Sequence, residues 1–363
     1  MQLLTLEFIL IHGCLMLDKL SVLTISNYNW KASKPLLRYV LGISFVLLIT
    51  SMMNYPLAHL TTVLSIGYIA PGTKPLSLKQ GAQFLIALII INFFGYIFTS
   101  YLINYPLVFM PLMCLGLLWI YYTDKLALMI KLFAIISIVV IPMIALESNV
   151  ISGYVALSLV FNAFMALTLT QLVFLVFPWS DADEVFAKAQ QNAAKKSEKD
   201  RFRYARNILF ILMPVLFLFF IFNLTGGLLI LIFITILSIS PVLANVKFGA
   251  IFIIANILGG LFAILAYNLL VIVPLLVFMI LLTLIVGFLF GRKLFSKHKY
   301  APIFATGFTT FLLILGSVTS AEMDAGEKVW SRLSQITIAI IYVVIAFKVI
   351  HYFEQKKIKK QNG

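Results

Sequence analysis

The chain has 363 residues, 62% of them hydrophobic and only 11% charged, with a mean hydropathy of +1.07. Soluble domains carry roughly 25% charged residues, so a water-soluble fold, a disordered chain and a fibrous protein are excluded. A membrane β-barrel is disfavoured too, because runs such as 208–222 are apolar all round where barrel strands would alternate. The formal charge of +14 would suggest nucleic acid in a soluble protein, but its placement here points to membrane orientation and away from nucleic acid.

Residues 1–16 are apolar but interrupted by Glu7 and His12. They are too short to span, so we read 1–35 as an N-terminal segment that is cytoplasmic or lies at the interface. Met16 is an alternative start, and no basic start or small-residue cleavage site marks a removable signal. A spanning helix needs ~20 apolar residues. Twelve candidate spans follow: 37–54, 56–70, 80–101, 104–122, 127–146, 151–177, 206–222, 226–243, 248–268, 270–290, 301–319 and 330–350. Between the sixth and seventh lies the hydrophilic stretch 178–206. There Ser180 and Asp183 have capping-box spacing and Glu184 precedes Lys188 by four, which predicts a short helix.

Loop charges alternate strongly. The N-terminal segment, Lys74 and Lys79, Asp124-Lys125 with Lys131, the link 178–206, Lys247, the stretch 292–299 and the C-terminal tail, with the adjoining helix ends that carry Arg38 and Lys348, hold 25 of the 27 Lys and Arg. The opposite set comprises Asn54-Tyr55, the turn at 102–105, Glu147, the stretch 223–227, Asn268 and the stretch 321–328; with the adjoining helix end it holds two, Lys328 and Arg332. The positive-inside rule then places both termini and the link in the cytoplasm.

A weak internal repeat overlies this pattern. Leu37-Arg38-Tyr39 recurs as Phe202-Arg203-Tyr204, Lys79-Gln80-Gly81 as Lys247-Phe248-Gly249, and Tyr105-Pro106-Leu107 as Val273-Pro274-Leu275; Asp124-Lys125 falls opposite Arg292-Lys293. The last three share one offset, as copies of a single unit would. The expected fold is an all-α integral membrane protein of about twelve transmembrane helices. They form two parallel six-helix repeats, 36–177 and 207–352, joined by the cytoplasmic helical link 178–206 and followed by a basic cytoplasmic tail, 353–363.

In repeat transporters, short or Pro/Gly-broken spans at matching positions point to the substrate pathway. The second span of each half fits: one stops at Pro71-Gly72, the other follows Gly226-Gly227 and meets Pro241. His59, Thr62 and Ser65 lie at helical spacing on the first, Thr235 and Ser238 on the second. The competing reading is that the hydroxyls bond back to the preceding turn and the prolines merely end helices. His59 is the one histidine inside a predicted span, and with an unperturbed pKa of ~6.5 it is the candidate for proton coupling. No Asp or Glu sits mid-span to do that work instead. Arg332, with Gln335 three residues on, is a candidate anion contact, although a cation beside Trp330 also suits a snorkelling anchor. The remaining intramembrane polar residues, Asn92, Asn162 and Asn256 among them, suit bonds between helices.

Chemistry-bearing motifs are missing. Cys14 and Cys114 are far apart, the four histidines are scattered, and no metal spacing, P-loop or dinucleotide fingerprint is present. We therefore expect no enzyme, no metal and no cofactor.

The two six-span halves, Leu37-Arg38-Tyr39-Val40, the short second span ending in Ala70-Pro71, Lys79-Gln80-Gly81 and the Phe177-Pro178-Trp179 exit resemble the fusaric acid resistance and aromatic acid exporter superfamily. The closest likeness is to a compact branch of uncharacterised bacterial inner-membrane proteins, over about residues 36–352. The resemblance implies an inner-membrane efflux permease for aromatic or other amphipathic organic acids or drug-like compounds, working with a periplasmic membrane-fusion adaptor. The larger soluble domain of other members is reduced here to 178–206. The bilayer is the expected partner, and self-association into a homo-oligomer is left open. The alternatives are a passive organic-anion channel or non-transport membrane subunit, which the missing mid-span carboxylates favour, and a membrane-embedded transferase, which would need Glu322, Asp324 and His59 to meet.

Overall fold

A computed structural model describes residues 30–123, 128–191, 198–224, 230–231, 234–235, 246–296, 300–301 and 303–319, together with 334–335, 337–339, 341–343, 345–346, 348–350 and 352. All regular structure among them is helical. The helices are α1 (Trp30–Met53), α2 (Ala58–Ile69), α3 (Leu78–Leu102), α4 (Pro106–Tyr122), α5 (Leu128–Ala145), α6 (Asn149–Val176), α7 (Asp181–Gln191), α8 (Glu198–Ile221), α9 (Val246–Ile272), α10 (Leu276–Leu294) and α11 (Ile303–Thr319). Stretches of α1, α3, α6, α8, α9 and α10, six in all, are long and apolar enough to cross a membrane. The apolar helices α2, α4, α5 and α11 and the stretch Thr337–Ile350 are shorter. This is the pattern of a helical membrane protein.

Local chemistry sets the helix starts. Ser77 and Gln80 form a reciprocal capping box that opens α3. Pro106 occupies the first turn of α4, where its missing N–H costs nothing, and the Ser148 hydroxyl accepts the Ile151 N–H at the start of α6. Ahead of α7, the Asp183 carboxylate accepts from the Ser180 N–H at 3.0 Å and hydroxyl at 2.9 Å, the pairing that the sequence spacing predicts.

Three boundaries differ from the sequence reading. The turn before α10 falls at 273–275, so Asn268 is inside α9 and not in a loop. Pro274 lacks a donor and pushes Val273 out of the helical region, whereas nothing at Asn268 interrupts the ladder. Helix α1 begins at Trp30, ahead of the expected 37, and α8 begins at Glu198, inside the predicted link. Both extend past their apolar runs because each further residue of a formed helix adds a hydrogen bond. Of the predicted span 226–243, only 230–231 and 234–235 are described, and they are helical.

Helix α1 packs on α2 and α10, α4 on α8, and α3 on α5 and α6. The tightest pair is α9 with α11, where Gly259 lies against the carbonyl of Gly307 and Gly307 against that of Ala255; a side chain at either glycine would collide with backbone. Buried polar bonds join helices as well. Ser137 on α5 donates to the Asn92 Oδ1 on α3 at 3.1 Å, and Thr310 on α11 donates to the Asn256 Oδ1 on α9 at 2.5 Å. Phe93 and Phe94 on α3, Leu157 on α6 and Phe210 on α8 are exposed, an outward surface suited to hydrocarbon.

Candidate functional site

The site is built on the turn between α1 and α2. Helix α2 has 12 residues, a rise of about 18 Å at 1.5 Å per residue. The turn is held half-way along the 28-residue α6: the Asn162 amide donates to the Pro56 carbonyl at 3.2 Å and to the Ser158 carbonyl at 2.7 Å. Thr61 donates to Asn162 Oδ1 at 2.8 Å, and Tyr55 donates to Thr61 at 2.6 Å. The rise of α2 is shorter than a ~30 Å hydrocarbon layer. Non-helical backbone within such a layer persists only where protein buries it or a watery cavity meets it. Asn54 (φ 42°) and Leu57 (φ 58°) are both left-handed, and for a leucine that conformation is costly.

A cleft of about 390 Å³ opens beside this turn. Ligand pockets usually fall between roughly 300 and 1,000 Å³. Its polar wall is Thr50, Ser51, Asn54 and His59, and its apolar wall includes Leu47, Leu270, Leu275 and Met279. Tyr267 of α9, Pro274 of the next turn and Gly316 of α11 complete it, so the cleft lies between α1–α2 and α9–α11. On the other side of the turn, Pro56 lines a second, almost wholly apolar groove between α3 and α6.

Of the residues singled out in the sequence, His59 lines the cleft. Thr62 is buried just behind the wall, 3.2 Å from the Thr50 hydroxyl. Ser65 and Thr235 are buried and donate to the carbonyls of Thr61 and Leu231, one turn back, at 2.8 and 2.7 Å. Those two hydroxyls therefore follow the bland reading. Pro71 is buried at the far end of α2, away from the cleft. Gln335 is half-buried on the last span and does not line the cleft. Ser238, Pro241 and Arg332 lie outside the described residues. Thr50, Ser51, Asn54 and Gly316 were not anticipated; the signal available for the first three was Asn54-Tyr55-Pro56 directly before a helix too short to cross.

The opposite end of the same helices carries the charge. Among the described residues, Arg38 and Asp183 are the buried charged pair, 1% and 0% exposed. Their contact is two-pronged: Arg38 Nη1 donates to Asp183 Oδ2 at 3.1 Å and Nη2 donates to Oδ1. The guanidinium also stacks over Phe174, 4.7 Å from the ring centre, and Nη1 reaches the Pro178 carbonyl at 3.4 Å. Nearby, Lys74 lies over Trp179, Arg201 lies over Tyr122, and Lys131 donates to the carbonyls of Tyr121 and Thr123. The basic residues thus gather at the end that holds α7, and the cleft sits at the other. Comparison with protein-family models, curated proteins and solved structures finds no match to the chain.

Proposed function

We propose that the chain is a multi-pass permease that exports aromatic or other amphipathic organic acids, or drug-like compounds, through the seam between its two halves. The observation that carries the reading is the cleft: both halves line it, the hydroxyls of Thr50 and Ser51, the Asn54 amide and the His59 imidazole come from the first half, and most of its apolar lining, Leu270, Leu275 and Met279, comes from the second. A solute with an apolar ring and a polar or weakly acidic head matches both walls. The resemblance to the fusaric acid resistance and aromatic acid exporter superfamily supports the same substrate class, and with it a bacterial inner membrane and a periplasmic adaptor.

The twelve-span, two-repeat architecture is part of this proposal. Helix α10, fourth in the second half, packs on α1; α4, fourth in the first half, packs on α8, first in the second. In each half the third helix carries a buried Asn bonded to a hydroxyl of the fifth, Asn92 with Ser137 and Asn256 with Thr310. Such reciprocity is what a pseudo-two-fold axis along the membrane normal would produce. The gathering of Arg38, Lys74, Lys131 and Arg201 at the α7 end supports a cytoplasmic position for that end and for both termini.

The test is flux. Sealed vesicles holding the purified protein should pass an aromatic sulfonate, whose fixed charge prevents unaided crossing, faster than protein-free vesicles. The same solute should protect a cysteine at Ser51 from a water-soluble thiol reagent. A panel of aromatic sulfonates and carboxylates giving neither flux nor protection would sink the proposal. A passive channel is the second reading, favoured because the buried carboxylate among the described residues, Asp183, is already engaged by Arg38.

A further inference from the structure

Helix α7 straddles one end of the seam whose other end is the cleft. Its first turn is tied to α1 through the Arg38–Asp183 pair. Its middle lies against the end of α2: a Cβ placed on Gly72 would stand 2.7 Å from the Ala187 nitrogen, and Gly72 itself has φ of 75°. Its Phe186 ring meets Phe295, just past α10, edge-on at 5.4 Å. Phe295 in turn meets Tyr39 of α1 at 5.7 Å, and Tyr39 meets Phe308 of α11 at 5.9 Å. Next to Tyr39, Val40 is fully buried against Gly287 and Gly291 of α10.

We propose that α7 is the gate at this end of the pathway, fastened by Arg38 and Asp183, and that its release opens the seam between α1–α2 and α10–α11 at the face opposite the cleft. The proposal rests on the reading of the cleft as one mouth of a transport path. Three features make α7 a fastening and not part of the core. It is short, 11 residues, and among its described side chains, 181–187, only Asp183 is deeply buried while Val185 is exposed, so lifting that part uncovers little apolar surface. It touches elements of both halves, as a closure must. Its main tie is a buried ion pair, an interaction that specifies position better than it stabilises, because desolvation of the two charges offsets most of their attraction.

The test needs no substrate. In a background with Cys14 and Cys114 replaced by serine, Val40→Cys reports whether water reaches the seam from the α7 face. In inside-out membrane vesicles the parent should label with a water-soluble maleimide at least tenfold more slowly than denatured protein. Asp183→Asn, which leaves the guanidinium without its counter-charge, should raise the rate at least tenfold. Gly72→Ala, which drives a methyl group into the backbone of α7 while leaving the ion pair in place, should do the same. A raised rate in either variant, in protein that elutes as a single species, supports the gate; should Asp183→Asn aggregate, Gly72→Ala decides. Protection retained in the folded variants, or rapid labelling of Val40→Cys in the parent, overturns it. If labelling responds while no solute ever crosses, the permease reading falls and the closure by α7 stands; if solutes cross and labelling is unmoved, the reverse holds.

Discussion

His59 rests directly on Gly316: a Cβ built on that glycine would stand 2.5 Å from the Cβ of His59 and 3.6 Å from its Cα. The contact brings α2 of the first half against α11 of the second at the edge of the cleft. Gly316→Ala must therefore push the two helices apart. Overpacking of this kind typically costs about 1–3 kcal/mol. We expect a lower melting temperature in detergent and a several-fold loss of flux. Parent-like values of both would mean that the helices shift without consequence.

Substitution of His59 itself separates a coupled carrier from a channel. His59→Gln keeps hydrogen-bonding capacity and cannot titrate near neutral pH. Uphill flux driven by an imposed pH gradient should disappear, and downhill flux should remain. A variant that still transports uphill as well as the parent would assign coupling to another group.

The cleft also makes a prediction about solvent access that the residue pattern of α2 alone did not. Single cysteines at Ser51 and Ala58, which line it, should react readily with a water-soluble thiol reagent in a background free of Cys14 and Cys114. Cysteines at Ser65 and Thr235, both fully buried, should react at least tenfold more slowly. Uniform reactivity at all four positions would mean that water reaches the buried positions Ser65 and Thr235 as freely as the cleft.

Asn162 ties the α1–α2 turn to the middle of α6, so its loss should be felt in the turn. In Asn162→Leu, the carbonyls of Pro56 and Ser158 and the hydroxyl of Thr61 lose a partner. A buried polar group left unsatisfied costs about 1–3 kcal/mol. We expect a clear drop in melting temperature and faster labelling of a cysteine at Asn54. Unchanged stability would mean that the turn is held by the Tyr55–Thr61 contact alone.

Orientation is open to a direct check. A reporter active only in the cytoplasm should give signal when fused at Ala194 or at the C-terminus, and none at Ala325. Signal at Ala325 with none at Ala194 would invert the assignment of the α7 end.

Much of the architecture was legible in the residues because it depends on local chemistry. Pro56 and Pro71 bound a helix too short to cross, and Ser180 with Asp183 starts a helix by hydrogen bonds within one turn. The end of α9 was misplaced to Asn268, because the apolar run continues past it and only Pro274 stops the helix. The clustering of basic residues at alternate loops is equally local, since each loop carries its own charges. What lines the cleft was not legible. His59, Thr62 and Ser65 share one face of α2 by spacing, yet only His59 meets open space, because Thr50 of α1 covers Thr62 and the backbone of α2 takes up Ser65. In a membrane helix the lipid-facing and protein-facing sides are both apolar, so hydropathy does not tell which face meets which neighbour. The pairing of Arg38 with Asp183, 145 residues apart, is of the same kind: composition supplies both charges, and only the packing of α7 beneath α1 and α2 brings them together and takes them out of water.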